Sequence, residues 1–321
     1  MNHLVEIAYR LRERDKFILV GHAIPDGDCI GSLLALYLGL QSLGKKVQVY
    51  SQDPLPPLYH YLPAIDVILP ASRLEPPVEN VIFLDCGDPL RIGEDLLQAL
   101  SGRSCSFNLD HHQGNQLFAD YNYVDTDAAA TAEIVFELLN LMQVVVNKSM
   151  ARCLYAGIVM DTGSFMNSNT RSHTMRAAAQ LIELGADVDE ARIKLLESKP
   201  LQEVLLMRQA LQHLELSQDG RIAWMVLPLE EVDRLEAGQV HPEGIINIAR
   251  SIKGVEISLL FREVSPGIVK VGFRSRGAVD VARLAASFDG GGHKQAAGAQ
   301  LQGSLEQVIA RVLDAVKDVM A

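Results

Sequence analysis

Four short segments in the first half of the chain place acidic and histidine side chains directly after apolar stretches. They are HAIPDGDCIGS at residues 22–32, LDCGDPLRIG at 84–93, FNLDHHQGN at 107–115 and AGIVMDTGSF at 156–165. We expect each apolar stretch to be a strand, with the polar residues at its carboxyl end. Ligands of an open parallel sheet bind outside the carboxyl ends of its strands. The pattern therefore predicts that the four segments converge on one crevice.

The side chains of this crevice are of the types that bind divalent cations. A crowd of carboxylates would repel one another unless cations were present. A mixed nitrogen and oxygen set favours Mn²⁺, with Mg²⁺, Co²⁺ or Fe²⁺ as alternatives. A single Asp after a strand is more often a helix cap, but adjacent histidines after an apolar strand have no packing reason. The candidate metal ligands are His22, Asp26, Asp28, Asp85, His111 and Asp161.

The elements that must position these residues are those of an α/β domain. Short β-branched runs at 17–22, 47–51 and 81–86 predict strands, and residues 30–43, 128–142 and 171–184 predict helices. Residues 51–77 contain seven prolines and predict a loop-rich connection. Strands that alternate with helices form a mostly parallel sheet with flanking helices.

The second half of the chain has a different pattern and predicts a smaller α/β domain. Strands are expected at 222–227, 255–261 and 268–275, and helices at 228–236, 279–287 and 304–319. We expect a metal-binding domain over residues 1–190, a helical connector over 191–215 that is broken at Pro200, and a substrate-binding domain over 216–321. The active site is expected in the cleft between the domains.

The distribution of charge separates the two halves. The chain has a net charge of -11; residues 1–190 carry 13 Lys and Arg against 24 Asp and Glu, and residues 191–321 carry 16 of each. An acidic protein of this kind is not expected to coat long nucleic acid. The acidic half could hold cations, and the more basic half could hold anions.

Other bulk features predict an ordinary soluble globular protein. No apolar run approaches the ~20 residues of a membrane span, so no membrane partner is expected. The four cysteines are scattered and predict buried thiols in a reducing compartment, which favours the cytoplasm. The sequence is compatible with a homodimer and does not decide the oligomeric state.

The four segments resemble the motifs of the DHH phosphoesterase superfamily, whose name matches Asp110, His111 and His112. The resemblance implies two divalent metal ions that share Asp85. One would be held by His22, Asp26 and Asp85, and the other by Asp28, Asp85, His111 and Asp161. It also implies that His112 contacts the phosphate or assists the leaving group, and that Asp110 orients its neighbours.

Two segments of the second half are similar to the DHH-associated domain of the first type. They are GFRSRG at 272–277 and DGGGHKQAAG at 289–298. A glycine run alone predicts a loop, but glycine N–H groups beside arginines suit a phosphate. The predicted substrate-binding residues are Arg274, Ser275, Arg276, Gly290, Gly291, Gly292 and His293, with Arg262 as a weaker candidate.

The compact two-domain layout is similar to the nano-RNase branch of that superfamily. This implies hydrolysis of short oligoribonucleotides to mononucleotides and of 3'-phosphoadenosine 5'-phosphate (pAp) to AMP. The expected partners are therefore short RNAs and nucleotides. The alternatives are a pApA hydrolase in cyclic di-AMP turnover, a dedicated pAp phosphatase, and a catalytically silent sensor of such nucleotides.

Overall fold

The structure is a computed structural model that describes residues 2–238, 240, 243–277 and 279–320; the side chains of Glu243 and His293 lie outside the description. The chain divides into two compact units, Met1–Ser198 and Lys199–Ala321. The division falls within the predicted connector. Among the described residues, no helix has the length and apolar character needed to span a membrane.

The first unit is built on a six-stranded parallel sheet, as the sequence predicts. The strand order is β3-β2-β1-β4-β5-β6, and every neighbouring pair is parallel. The order reverses between β1 and β4, which makes the carboxyl ends of these strands the expected ligand-binding edge. The strands are β1 (Phe17–Val20), β2 (Val47–Ser51), β3 (Ile68–Pro70), β4 (Asn80–Leu84), β5 (Cys105–Asp110) and β6 (Tyr121–Val124).

Helices cover both faces of this sheet. Strands β1 and β4 are buried along their whole length, as is usual where helices lie on both sides. One face packs against α1, α2, α4 and α5, and the other packs against α3. The helices are α1 (Leu4–Glu13), α2 (Gly27–Ser42), α3 (Glu94–Ala99), α4 (Thr131–Leu141), α5 (Lys148–Asp161), α6 (Ser172–Glu183) and α7 (Val188–Ala191).

The second unit contains a mixed sheet in the order β11-β12-β10-β9-β8-β7. Its apolar residues form two clusters, one of which includes residues of α8. The strands are β7 (Glu215–Leu216), β8 (Ile222–Leu227), β9 (Ile257–Ser265), β10 (Ile268–Ser275), β11 (Gly291–His293) and β12 (Ala296–Gln302). The helices are α8 (Leu201–Gln212), α9 (Leu229–Arg234), α10 (Glu243–Ser251), α11 (Val281–Ala286) and α12 (Leu305–Met320).

The structure corrects two expectations about local structure. The apolar run before Asp161 is not a strand, because it is the last part of helix α5. A run that is buried on all sides has no useful periodicity, so its length and flanks must decide between helix and strand. The glycine run is also more regular than a loop, since residues 291–293 pair with β12. A side chain at Gly292 would lie 2.5 Å from the carbonyl oxygen of Ala296, so this pairing requires glycine.

Candidate active site

Three of the four predicted segments follow adjacent strands at the switch point of the first sheet. His22 lies two residues after β1, and Asp85 follows β4 directly. Asp110 is the last residue of β5 and is followed by His111 and His112. The fourth segment reaches the same place from a helix, because the Asp161 carboxylate lies 3.6 Å from His111 Nε2. All four segments therefore meet at one site.

Asp26 begins helix α2 and also faces the site. Its Oδ1 accepts hydrogen bonds from the amides of Asp28 and Cys29, both at 3.0 Å, as an N-cap residue does. The same oxygen lies 3.8 Å from His22 Nε2. Helix capping and metal ligation are compatible at this residue, because the two oxygens of a carboxylate have about four lone pairs and can accept several contacts.

Asp85 lies at the centre of the cluster. It is buried, and its two oxygens face different histidines: Oδ2 lies 3.4 Å from His22 Nε2, and Oδ1 lies 3.5 Å from His111 Nε2. Its backbone is left-handed, with a φ of 58°. This conformation is uncommon for residues other than glycine and is found where the surrounding structure enforces it. The turn after β4 thus aims one carboxylate at two groups of ligands.

Both of these histidines are oriented as metal-binding histidines usually are. Nδ1 of His22 lies 2.8 Å from the carbonyl oxygen of Ala23, and Nδ1 of His111 lies 3.3 Å from that of Ala128. Because a carbonyl only accepts, each ring carries its proton on Nδ1. Nε2 is then the nitrogen presented to the carboxylates, which is the usual arrangement beside a metal.

The acids on the other side of His111 are held in an environment that disfavours negative charge. Burial, followed by repulsion from Asp85 and Asp161, raises the pKa of Asp28 well above its usual range. Burial also raises the pKa of Asp161 to about 7, although His111 opposes the shift. Asp161 is the last residue of α5, where the helix dipole adds to this cost.

Burial lowers the pKa of His22, but bonds to Asp26 and Asp85 outweigh it and raise the value to about 10. The site therefore requires positive charge, from protons on its imidazoles or from bound cations. The carboxylate and imidazole atoms form groups that could bind metal, with ligand atoms within 4.8 Å of one another. Two such groups are His22, Asp26 and Asp85, and Asp28, His111 and Asp161. The donor set and the orientation of the rings fit divalent metal ions.

His112 lies beside the ligand cluster, with Nδ1 3.6 Å from Asp85 Oδ1, and is held by a hydrogen bond of its own. Its Nδ1 donates to Asp110 Oδ1 at 2.6 Å, and Asn115 Nδ2 donates to Asp110 Oδ2 at 2.6 Å. Burial raises the pKa of Asp110, but the bond from His112 outweighs it and leaves the value below its usual range. Nδ1 is thus committed to Asp110, so any proton exchange between His112 and a substrate must use Nε2.

We expect Asp110→Asn to lower kcat by roughly 10²–10⁴-fold without loss of the fold. Asn115 Nδ2 also donates to Asn108 Oδ1 at 2.8 Å, which fixes its orientation. The new amide must then turn its oxygen to Asn115 and its NH₂ to His112, which moves the imidazole proton to Nε2. Steady-state kinetics with a nucleotide substrate measure the loss. Asp127→Asn, at an exposed turn, is the control, and an equal loss there would contradict this role.

The structure brings the predicted substrate-binding residues of the second unit to one end of its sheet. Strands β10 and β11 lie on either side of β12, and both Arg274 and His293 are in register with Ala296. Arg276 is exposed. Burial of Arg250, followed by the charge of Arg276, lowers the pKa of Arg250. These two guanidinium groups are therefore neighbours. The side chain of His293 is outside the described part of the chain.

Two predicted substrate residues have structural partners instead. The Arg262 guanidinium is buried and donates to the carbonyl oxygens of Ala237 and Gly238, each at 2.8 Å. It also donates to the carbonyl oxygen of Val240. The Ser275 hydroxyl is buried and donates to the carbonyl oxygen of Val279 at 2.8 Å. These bonds show that both side chains stabilise loops, and their substrate contact stays a prediction.

Sequence reasoning missed residues that support the ligands. Thr131 Oγ1 donates to Asp85 Oδ1 at 3.1 Å, and Asn169 Nδ2 bonds to the carbonyl oxygens of both Ala129 and Asp161. Arg250 was missed as a neighbour of Arg276. The only local signal is that Thr131 lies in the first turn of the predicted helix 128–142 and Asn169 lies two residues before the predicted helix 171–184. Thr131 and its partner Asp85 are 46 residues apart in the sequence, and Asn169 and its partner Ala129 are 40 residues apart.

Comparisons with known proteins agree with this geometry. Residues 16–158 match the DHH family, N-terminal domain, and residues 231–321 match the DHHA1 domain. The bifunctional oligoribonuclease and PAP phosphatase NrnA of Thermus thermophilus is 33% identical over 92% of this chain and 88% of its own length. An exopolyphosphatase-related protein from Bacteroides fragilis has a TM-score of 0.93 at 28% identity, over 98% of this chain and 96% of its own.

A more distant likeness extends the fold comparison. RecJ of Thermus thermophilus, crystallised in complex with Mn²⁺, has a TM-score of 0.57 at 17% identity, over 98% of this chain and 55% of its own. The DHH match and the relative named as an oligoribonuclease and PAP phosphatase, together with the clustered acids and histidines at the switch point, support a hydrolytic phosphoesterase. The chain belongs to the DHH family and carries a DHHA1 domain.

Proposed function

We propose that this phosphoesterase uses two metal ions to hydrolyse short oligoribonucleotides to mononucleotides and pAp to AMP. The observation that carries the proposal is the position of Asp85, whose two oxygens face His22 and His111 separately. A carboxylate in this position can be shared by two cations. Shared carboxylates are suited to centres in which two metals grip one phosphate.

Two divalent cations, when bound, would neutralise the phosphate charge and make a water molecule nucleophilic near neutral pH. We assign His22, Asp26 and Asp85 to one cation. Asp28, Asp85, His111 and Asp161 are assigned to the other. Mn²⁺ is the proposed metal, because this mixed set of imidazole and carboxylate donors suits it.

Other residues are proposed to bind the substrate and to move its proton. His112, held by Asp110, would contact the phosphate and give a proton from Nε2 to the leaving oxygen. In the second unit, Arg274, Arg276, His293 and the backbone of Gly291 and Gly292 would hold a further anionic group of the substrate. The predicted Gly290 would shape this turn instead, since its N–H donates to the carbonyl oxygen of Ala285 at 2.9 Å. Binding at a second point fixes the substrate length that can be processed.

The choice of substrate is supported by the Thermus thermophilus relative, named as an oligoribonuclease and PAP phosphatase and similar over nearly its whole length. Because the similar protein from Bacteroides fragilis is named as exopolyphosphatase-related, inorganic polyphosphate is the alternative substrate that must be compared with the nucleotides. A pApA hydrolase would use the same centre with narrower selectivity. A silent sensor would bind these nucleotides without turnover.

The test is a Mn²⁺-dependent hydrolysis series at equal substrate concentration. The substrates are pAp, pApA, a five-nucleotide RNA, a long single-stranded RNA, pyrophosphate and polyphosphate. We expect fast release of mononucleotides from the short RNAs together with cleavage of pAp. Activity on pApA alone would favour the narrower hydrolase. Preference for the long strand, pyrophosphate or polyphosphate would overturn the proposal, and binding without turnover would support a sensor.

A further inference from the structure

A short segment, residues 128–132, is bonded to three of the four ligands assigned to the second metal ion, and Asn169 bridges it to the fourth. The carbonyl oxygen of Ala128 accepts from His111 Nδ1. The amides of Thr131 and Ala132 donate to the Asp28 carboxylate at 2.6 and 2.8 Å. The sequence AAATA of this segment has no acid, histidine or cysteine and carries no motif of its own. Its contacts nevertheless make it the common support of the site.

The remaining two ligands are reached through one side chain each. Asn169 Nδ2 lies 3.0 Å from the carbonyl oxygen of Ala129 and 3.1 Å from that of Asp161, so it ties the end of α5 to the segment. Thr131 Oγ1 donates to Asp85 Oδ1 at 3.1 Å. This second bond acts on a carboxylate rather than on the backbone, and so it can control the direction of the ligand itself.

Thr131 and Asp85 are both buried, so water does not replace this bond easily. Asp85 Oδ1 accepts the hydrogen bond from the Thr131 hydroxyl and is also the oxygen that faces His111, whereas Oδ2 faces His22. The terminal torsion of an aspartate is broad, so a carboxylate without such a bond can turn about its last bond. A turned carboxylate could offer both oxygens to one cation and leave the other with fewer ligands.

We propose that Thr131 is a positioning residue that directs the two oxygens of Asp85 to two different cations. This role rests on the two-metal centre proposed above, and it adds the residue that keeps Asp85 shared between the two cations. Partners of metal ligands typically change metal affinity by roughly 10–100-fold when they are removed. The loss is expected mainly at the second site, since Oδ1 faces His111.

The test compares Thr131→Val, which keeps the shape and removes the hydroxyl, with Thr131→Ser, which keeps the hydroxyl. Mn²⁺ binding is titrated by the electron paramagnetic resonance signal of the free ion, and pAp hydrolysis is measured at several Mn²⁺ concentrations. For Thr131→Val we expect one of the two binding steps to lose roughly 10–100-fold in affinity, with a smaller change in the other. Activity should recover in part at high Mn²⁺, and Thr131→Ser should bind and react nearly as the unchanged protein does.

Other outcomes separate this inference from the proposed function. Two unchanged binding steps in Thr131→Val would overturn the role of Thr131 and leave the two-metal centre intact. Equal losses in Thr131→Ser and Thr131→Val would also overturn it, because the hydroxyl would not be the cause. One Mn²⁺ per unchanged chain would overturn the two-metal centre itself. If Thr131→Val fails to unfold cooperatively without metal, Thr131→Ala replaces it in the comparison with Thr131→Ser.

Discussion

Replacing Asp85 by Asn should lower phosphoesterase turnover by at least about 10³-fold, the equivalent of about 4 kcal/mol in the barrier. Asn has the same shape and can still accept a bond from Thr131, but it has one oxygen instead of two. It therefore cannot face His22 and His111 with ligand oxygens at the same time. Rates of pAp hydrolysis in saturating Mn²⁺ provide the measurement.

The fold should survive this change. Burial raises the pKa of Asp85, but bonds from His111 and His22 outweigh it and hold the value well below its usual range, so the metal-free variant should unfold at a lower temperature than the unchanged protein while remaining folded at about 25 °C. Asp88→Asn is the control on the same loop, where the carboxylate accepts a turn amide from Leu90. Near-normal turnover in Asp85→Asn would show that the site has been assigned to the wrong residues.

Removal of metal by a chelator should abolish activity and lower the thermal unfolding midpoint of the first unit. A cation at about 100 times its dissociation constant stabilises a folded protein by about 2.7 kcal/mol per site. For a domain of this size, one such site corresponds to a shift of roughly 5–10 °C. Differential scanning calorimetry with and without Mn²⁺ gives the shift, and Asp85→Asn should show a smaller one.

The metal-dependent shift should also grow with pH. Burial raises the pKa of Asp161 from 3.8 to about 7, so in the metal-free chain the protonated carboxyl stabilises the fold. This contribution is lost as the pH rises from about 3.8 through about 7. Mn²⁺ must displace the same proton, so it should stabilise the protein more at pH 8 than at pH 6. Full activity in excess chelator, or a shift that is larger at pH 6, would contradict a cation at this carboxylate.

Much of the candidate site could be predicted from residue types. Continuous β-branched runs identify β1 and β4, and the polar residues after them identify His22, Asp26 and Asp85. The structure brings these residues together because strand direction and the parallel order determine which ends of the strands meet. The family resemblance could then be stated from four local motifs.

The rest depends on contacts that a local pattern does not contain. Asp161 lies on a helix, because an apolar run that is buried on all sides does not show which period it follows. The Arg262 guanidinium can be buried because it donates hydrogen bonds to the carbonyl oxygens of residues 237, 238 and 240. Nothing near Arg262 in the sequence indicates these partners. Thr131 is likewise recognisable only once Asp85 lies beside it.

The capping of α4 by Asp28 has a consequence for the order in which the protein is made. The acid precedes the helix amides that it binds by 103 and 104 residues. At ribosomal rates of about 5–20 residues per second, the helix emerges roughly 5–20 seconds after the acid, and Asp161 emerges later still. Until then the ligand set proposed for the second metal ion is incomplete, so this ion cannot help to nucleate folding. It should therefore act on the finished domain, by slowing its unfolding rather than by speeding its folding.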